Sequence, residues 1–177
     1  MRQPLAIIAL GAILAGCQML PPMDTGTRRI EVREVTPETP PEPGRVPRRV
    51  AFSEAQYRAL PTQGTARLSG QLFYEAPGGR IYGRHETVAI APVTAYSAEA
   101  AEQALAGRAV ERADPRAQAY THRVRTDGEG RFEASRLPPG DFYVSGSVTL
   151  PDGRRGPLIL HQVRLRNGQT TRVNLRR

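Results

Sequence analysis

Three histidines, one cysteine and scattered carboxylates and serines are the side chains of this chain that could do chemistry, and their spacing excludes most reactions. His85, His122 and His161 lie far apart, with none in an H-E-x-x-H or H-x-x-E arrangement. A zinc or iron site would need the fold to gather them. His122 shares one side of a predicted strand with Tyr120 and Val124, so it reads as a satisfied, partly buried imidazole instead. Asp127, Glu129 and Gly130 lack the third oxygen ligand and the distant bidentate Glu of a calcium loop, and read as a tight turn. No serine stands in a G-x-S-x-G elbow, and neither a phosphate-cradling loop nor a dinucleotide fingerprint is present. The expectation is a protein without catalytic residues, metal site or cofactor.

Cys17 carries a different kind of signal. Arg2 gives a positive start, Leu5 to Leu14 an apolar stretch too short to span a bilayer, and Leu14-Ala15-Gly16-Cys17 a run of small residues before a thiol. This order resembles the lipobox of bacterial lipoproteins. The resemblance implies that residues 1–16 are a removed signal and that Cys17 becomes the acylated, palmitate-bearing first residue of the mature chain. Gln18 in place of Asp resembles the sorting pattern for the outer membrane of Gram-negative bacteria. The implied location is the cell outer membrane, lipid-anchored, with the folded part facing the periplasm or the cell surface.

All 25 basic residues are arginine, against 17 acids, which a GC-rich genome explains without selection for guanidinium chemistry. Residues 120–177 hold eleven of these arginines and five acids, so most of the net charge of +8 sits in the last third. Arg123, Arg125, Arg164, Arg166, Arg172 and Arg176 are a candidate surface for a polyanion or a partner. On an exported chain the anions are lipid phosphates, lipopolysaccharide and acidic envelope polymers. Nucleic acid is in the wrong compartment and no motif supports it. The bland alternative is a solvated arginine face that blunts sheet edges.

Residues 17–49 hold seven prolines among Thr, Glu and Arg and read as a disordered tether, with a reach of roughly 100 Å if fully stretched. Residues 50–63 form a short helical lead-in: Ser53-Glu54-Ala55-Gln56 has the form of a capping box, with Phe52 and Tyr57 placed to staple across it. From residue 64 the pattern becomes short alternating strands. Ala66, Leu68, Gly70, Leu72 and Tyr74 share one side of the first, Val88 to Tyr96 form the second, and Pro77-Gly78-Gly79 turns between them. Ser97 caps an alanine-rich helix ending at Gly107, and Arg108 to Ala119 reads as loop. Tyr120 to Thr126, Asp127-Gly128 and the strand around Phe132 read as a hairpin, followed by a turn at Leu137-Pro138-Pro139-Gly140. Phe142, Val144, Gly146 and Val148 face inward in the next strand, the pattern repeats in Leu158 to Leu165, and Val173 and Leu175 face inward in the last. Seven short strands at this spacing imply an all-β, antiparallel sandwich.

Thr126-Asp127-Gly128-Glu129-Gly130-Arg131-Phe132, followed by Leu137-Pro138-Pro139-Gly140-Asp141-Phe142-Tyr143-Val144, resembles the T-D-x-x-G-x-F and L-x-P-G-x-Y-x-V signature of carboxypeptidase regulatory-like domains. Phe142 stands where that pattern commonly has Tyr. The resemblance covers about residues 64–177 and implies the seven-stranded transthyretin-like sandwich, usually a non-catalytic accessory, adhesion or scaffolding module. Hydroxyisourate hydrolases of that fold end in a Tyr-Arg-Gly-Ser-type tail, whereas this chain ends Asn174-Leu175-Arg176-Arg177. The intradiol dioxygenase pattern of two tyrosines and two histidines is also missing. The expected function is envelope binding or scaffolding, with a protein partner engaged through an edge strand or the 97–119 insertion. Glycan binding is the alternative, with Tyr82 and Tyr143 as exposed stacking candidates in a chain without Trp. A hydrolase is the more distant alternative and requires at least two of the three histidines to meet in a pocket.

Overall fold

The computed structural model describes residues 44–177, so Cys17, the signal and most of the tether lie outside the described residues. Alternating side chains on short strands build two sheets, and their apolar faces meet. β1 (Ala66–Ala76) is the centre of the first sheet. Its first half pairs antiparallel with β5 (Arg131–Leu137), its second half with β2 (Gly79–Tyr82) on the same side, and β8 (Thr170–Arg176) runs parallel along its other edge. The second sheet has the order β4-β3-β6-β7, formed by His122–Arg125, Thr87–Pro92, Gly140–Gly146 and Ile159–Leu165. Leu68, Leu72 and Leu175 from the first sheet and Val88, Ile90 and Val144 from the second are completely buried between them.

The fold is thus the all-β sandwich, with eight strands instead of seven. The extra one, β2, is the four-residue return of the Pro77-Gly78-Gly79 turn, too short for alternation to register. The sheet is also not purely antiparallel. The Asn167-Gly168 turn carries the chain from the edge of one sheet to the edge of the other, where β8 lies parallel to β1. Asp127-Gly128 closes no hairpin, because β4 pairs with β3 in one sheet while β5 pairs with β1 in the other. It is a corner between sheets, braced by Asp127 Oδ1, which accepts the N–H of Glu129 at 2.9 Å and of Arg131 at 2.8 Å. Thr126, buried at this corner, donates its hydroxyl to Gly83 O and accepts the N–H of Glu86.

A helical layer accompanies the sandwich. α1 (Glu54–Arg58) starts at Ser53, whose hydroxyl accepts Gln56 N–H, and Phe52 packs on Tyr57 at 4.8 Å between ring centroids. The second predicted strand ends at Pro92, and the chain enters α2 (Ala95–Leu105) through Thr94, not Ser97. Ser97 is instead the third helical residue of a reciprocal capping box with Thr94. The predicted loop 108–119 contains a further turn of helix, α3 (Pro115–Ala119), started by Asp114. Tyr57, Tyr96 and Ala117 are buried in a second apolar cluster that also gathers Val50, Phe52, Leu60 and Tyr120. The last residues of the proline-rich segment and the insertion are stitched by their backbones: Val46 N–H donates to Ala109 O at 2.8 Å and Glu111 N–H to Val46 O at 3.0 Å.

Candidate functional site

At one end of the sandwich, four chain segments surround a groove of about 450 Å³. Pro61 and Thr62 leave α1, Pro92 and Val93 leave β3, Tyr120 and His122 lead into β4, and the Pro138–Phe142 turn crosses from β5 to β6. The prolines explain its apolar walls, since they present ring carbons and withhold backbone donors. Gly140, at φ +141, allows the turn to swing Asp141 onto β6, and the Asp141 carbonyl accepts Val93 N–H at 2.9 Å.

Polar residues are among those that line these walls. The Asp141 carboxylate receives a bidentate pair from Arg164, its cross-strand neighbour on β7, with Nε and a terminal nitrogen each 2.8 Å from an oxygen. Those hydrogen bonds hold the Asp141 carboxyl below its ordinary pKa. The aspartate stays ionised near neutrality and keeps lone pairs free to accept further donors. Tyr120 packs edge-on against Tyr57, 5.2 Å between centroids. Tyr57 is fixed in turn by a 3.1 Å hydrogen bond between its hydroxyl and Thr94 Oγ1, and burial raises its pKa.

His122 and the Tyr120 hydroxyl make no side-chain hydrogen bond among the described residues, and no buried side-chain nitrogen or oxygen there is without a partner. Both groups are therefore open to solvent. His122 is half-buried, as the sequence suggests, but it is available instead of satisfied. Asp141, His122, Tyr120 and Thr62 are the polar residues that line the groove beside its prolines, with Asp141 on the outer face of the sheet beside Arg164 and His122 on the face of Ile90 and Val144. Such a set can accept and donate hydrogen bonds to a polyhydroxylated ligand; it holds no nucleophile paired with a base.

A second hollow of about 270 Å³ lies between α2 and the outer face of the β4-β3-β6-β7 sheet, lined by Ala91, Ala100, Ala104, Tyr143 and Leu160. It falls below the roughly 300 Å³ at which small-molecule sites begin, while the end groove lies within their range. Of the stacking candidates, Tyr143 lies in this hollow and Tyr82 packs against Phe73 at 6.2 Å.

The six arginines singled out from the sequence do not share one face. Arg123, Arg125 and Arg164 project from the outer face of the β4-β3-β6-β7 sheet, Arg172 and Arg176 from that of the other, and Arg166 lies in the turn between β7 and β8. Arg164 is tied to Asp141, Arg125 donates to His85 O at 2.8 Å, and Arg176 lies 3.9 Å from Glu75. His85 sits in a loop at φ +54, and His161 lies on β7 with its ring 3.4 Å from Arg176 O. Among the described residues no group of three or more His, Cys, Asp and Glu could hold a metal ion. Sequence reasoning passed over Thr62, Tyr120 and Asp141 as site residues. Only the Pro-Pro-Gly-Asp turn marked their neighbourhood.

No protein-family model and no curated protein sequence matches the chain. Among solved structures, a Pseudomonas aeruginosa protein proposed to bind carbohydrate is 26% identical and superposes with a TM-score of 0.64, over 72% of this chain and 99% of its own. The major pilin subunit of Bacillus cereus is 16% identical at a TM-score of 0.38, covering 64% of this chain and 30% of its own, a likeness too partial to carry an argument. The chain is an all-β sandwich with a small helical layer, similar in fold to the P. aeruginosa protein.

Proposed function

We propose that this chain is a non-catalytic, lipid-anchored module of the cell envelope that binds a saccharide in the end groove. The observation that carries the reading is one proline-walled groove of about 450 Å³ whose lining includes the polar residues Asp141, His122, Tyr120 and Thr62. Sugars present hydroxyls to such acceptors and donors, and C–H faces to such walls. The likeness to a protein proposed to bind carbohydrate supports the same choice. The 97–119 insertion, a candidate arm for a protein partner, packs in part on residues 45–60. The lipid anchor rests on the Leu14-Ala15-Gly16-Cys17 order.

Calorimetric titration of the full chain with a panel of neutral and acidic oligosaccharides tests the reading. At least one binds, and His122→Ala weakens it about fivefold, the worth of one hydrogen bond. Absence of binding across the panel, or indifference of a bound sugar to His122→Ala and Thr62→Ala, contradicts the reading.

A further inference from the structure

We propose that the outer face of the β2-β1-β5-β8 sheet is a second binding surface, for an acidic polysaccharide strand. The strand registers bring five arginines onto this face: Arg67 on β1, Arg80 on β2, Arg131 on β5, and Arg172 and Arg176 on β8. The acids on the same face are Glu75 and Glu133. Glu75 is shared between Arg80 at 3.8 Å and Arg176 at 3.9 Å, and Arg131 lies 3.8 Å from Glu129 in the adjoining turn. Arg67 and Arg172 have no side-chain partner among the described residues, and both are exposed.

These two free guanidiniums are neighbours. Arg67 pairs with Thr170 and Ser69 with Arg172 across the parallel β1–β8 ladder. One strand spacing and one two-residue step therefore separate Arg67 from Arg172, about 8 Å between Cα atoms. Like charges this close repel unless an anion lies between them. Ser69, Gln71 and Asn174 fill the interval. The Ser69 hydroxyl and the Asn174 amide make no hydrogen bond among the described residues, and Gln71 spends only its amide nitrogen, on Glu129 O at 2.8 Å. An open trough of about 750 Å³ takes in Ser69, Gln71, Arg131, Glu133 and Arg172 of this face and extends to Arg125 and Asp127 at the corner between the sheets.

Charge selects a polyanion, and the uncharged residues select among polyanions. Guanidiniums interleaved with hydroxyl and amide groups match a chain that alternates carboxylates with sugar hydroxyls. A bilayer would call for exposed apolar side chains beside the basic ones. The large apolar side chain of this face, Phe73, is 3% exposed and lies beneath the Arg80 guanidinium at 4.8 Å. The exposed large hydrophobic among the described residues is Leu105 on α2. This surface is separate from the end groove and stands or falls independently of it.

The test measures binding of the full chain to polygalacturonate, to neutral dextran of equal length and to vesicles rich in phosphatidylglycerol, across a salt series. Polygalacturonate binds, dextran does not, and Arg67→Gln with Arg172→Gln weakens binding roughly tenfold and flattens its salt dependence. The charge-matched control Arg58→Gln with Arg154→Gln leaves it within twofold. Thermal unfolding at the wild-type temperature shows that the double variant is folded. No preference for polygalacturonate over dextran, equal weakening in the control pair, or binding to vesicles alone each overturns the proposal.

Discussion

Glu99 on α2 accepts the backbone N–H of Arg49 at 2.7 Å and of Val50 at 3.2 Å, so one buried carboxylate fastens the segment that leads into the domain. Arg48 adds a guanidinium 4.2 Å above the Tyr96 ring and a hydrogen bond to Glu111 O. Removing the carboxylate strands two backbone donors. Glu99→Ala therefore costs about 1–3 kcal/mol in urea unfolding and exposes residues 45–50 to protease while the sandwich stays intact. Wild-type cleavage kinetics in the variant would refute this assignment.

Gly70 sits where β1 has no room for a side chain. A Cβ there would lie 2.1 Å from Val173 O and 2.8 Å from Phe132 Cζ. Gly70→Ala is expected to cost about 2 kcal/mol or more in chemical denaturation, from overpacking. Gly78→Ala, in the β1–β2 turn with nothing within 4 Å, changes stability by less than about 0.5 kcal/mol. Equal stability of the two variants would contradict the packing described for β1 and β8.

Alternation made the sandwich legible: the residues assigned inward on β1, β6 and β8 include Leu68, Leu72, Phe142, Val144 and Leu175, all buried. Pairing was less legible. A tight turn such as Asp127-Gly128 serves a hairpin and an inter-sheet corner alike, and the pattern within β4 and β5 is the same in both. Phe73 also escaped notice, since a buried aromatic on an outer face depends on Arg80 and Tyr82 from another strand. The end groove was hidden for a related reason. Thr62, His122 and Asp141 are distant in sequence, and only the meeting of four segments makes them neighbours. The distribution of the six arginines over both sheets is not legible in the sequence, because a sum of charge says nothing about which sheet face each one occupies.

The Asp141–Arg164 pair predicts a pH response with a defined sign. The folded aspartate titrates below its ordinary value of 3.8 because Arg164 hydrogen-bonds its ionised form. Its contribution to stability is present above the unfolded pKa of about 3.9 and is lost as pH falls through the folded value. Carboxyl carbon NMR should place the Asp141 midpoint below 3.8 and show it rising toward that value in Arg164→Gln. Asp114 and Asp152, lowered by Arg116 and Arg154, serve as references that Arg164→Gln does not move. An unchanged Asp141 midpoint in the variant would dissolve the pair.

The anchor makes its own prediction. Cys17→Ser moves the protein from the membrane fraction to the soluble fraction and abolishes incorporation of labelled palmitate, while the folded part keeps its thermal unfolding temperature. Continued sedimentation with membranes would remove lipidation from the account.

Binding in the end groove is read from a map of backbone amide shifts in the isotope-labelled full chain during titration with a binding oligosaccharide. Saturable shifts centre on Thr62, Val93, Tyr120, His122 and Asp141. Shifts confined to the Ala100–Ala104 hollow, or no saturable shift with any saccharide tested, would contradict binding in that groove.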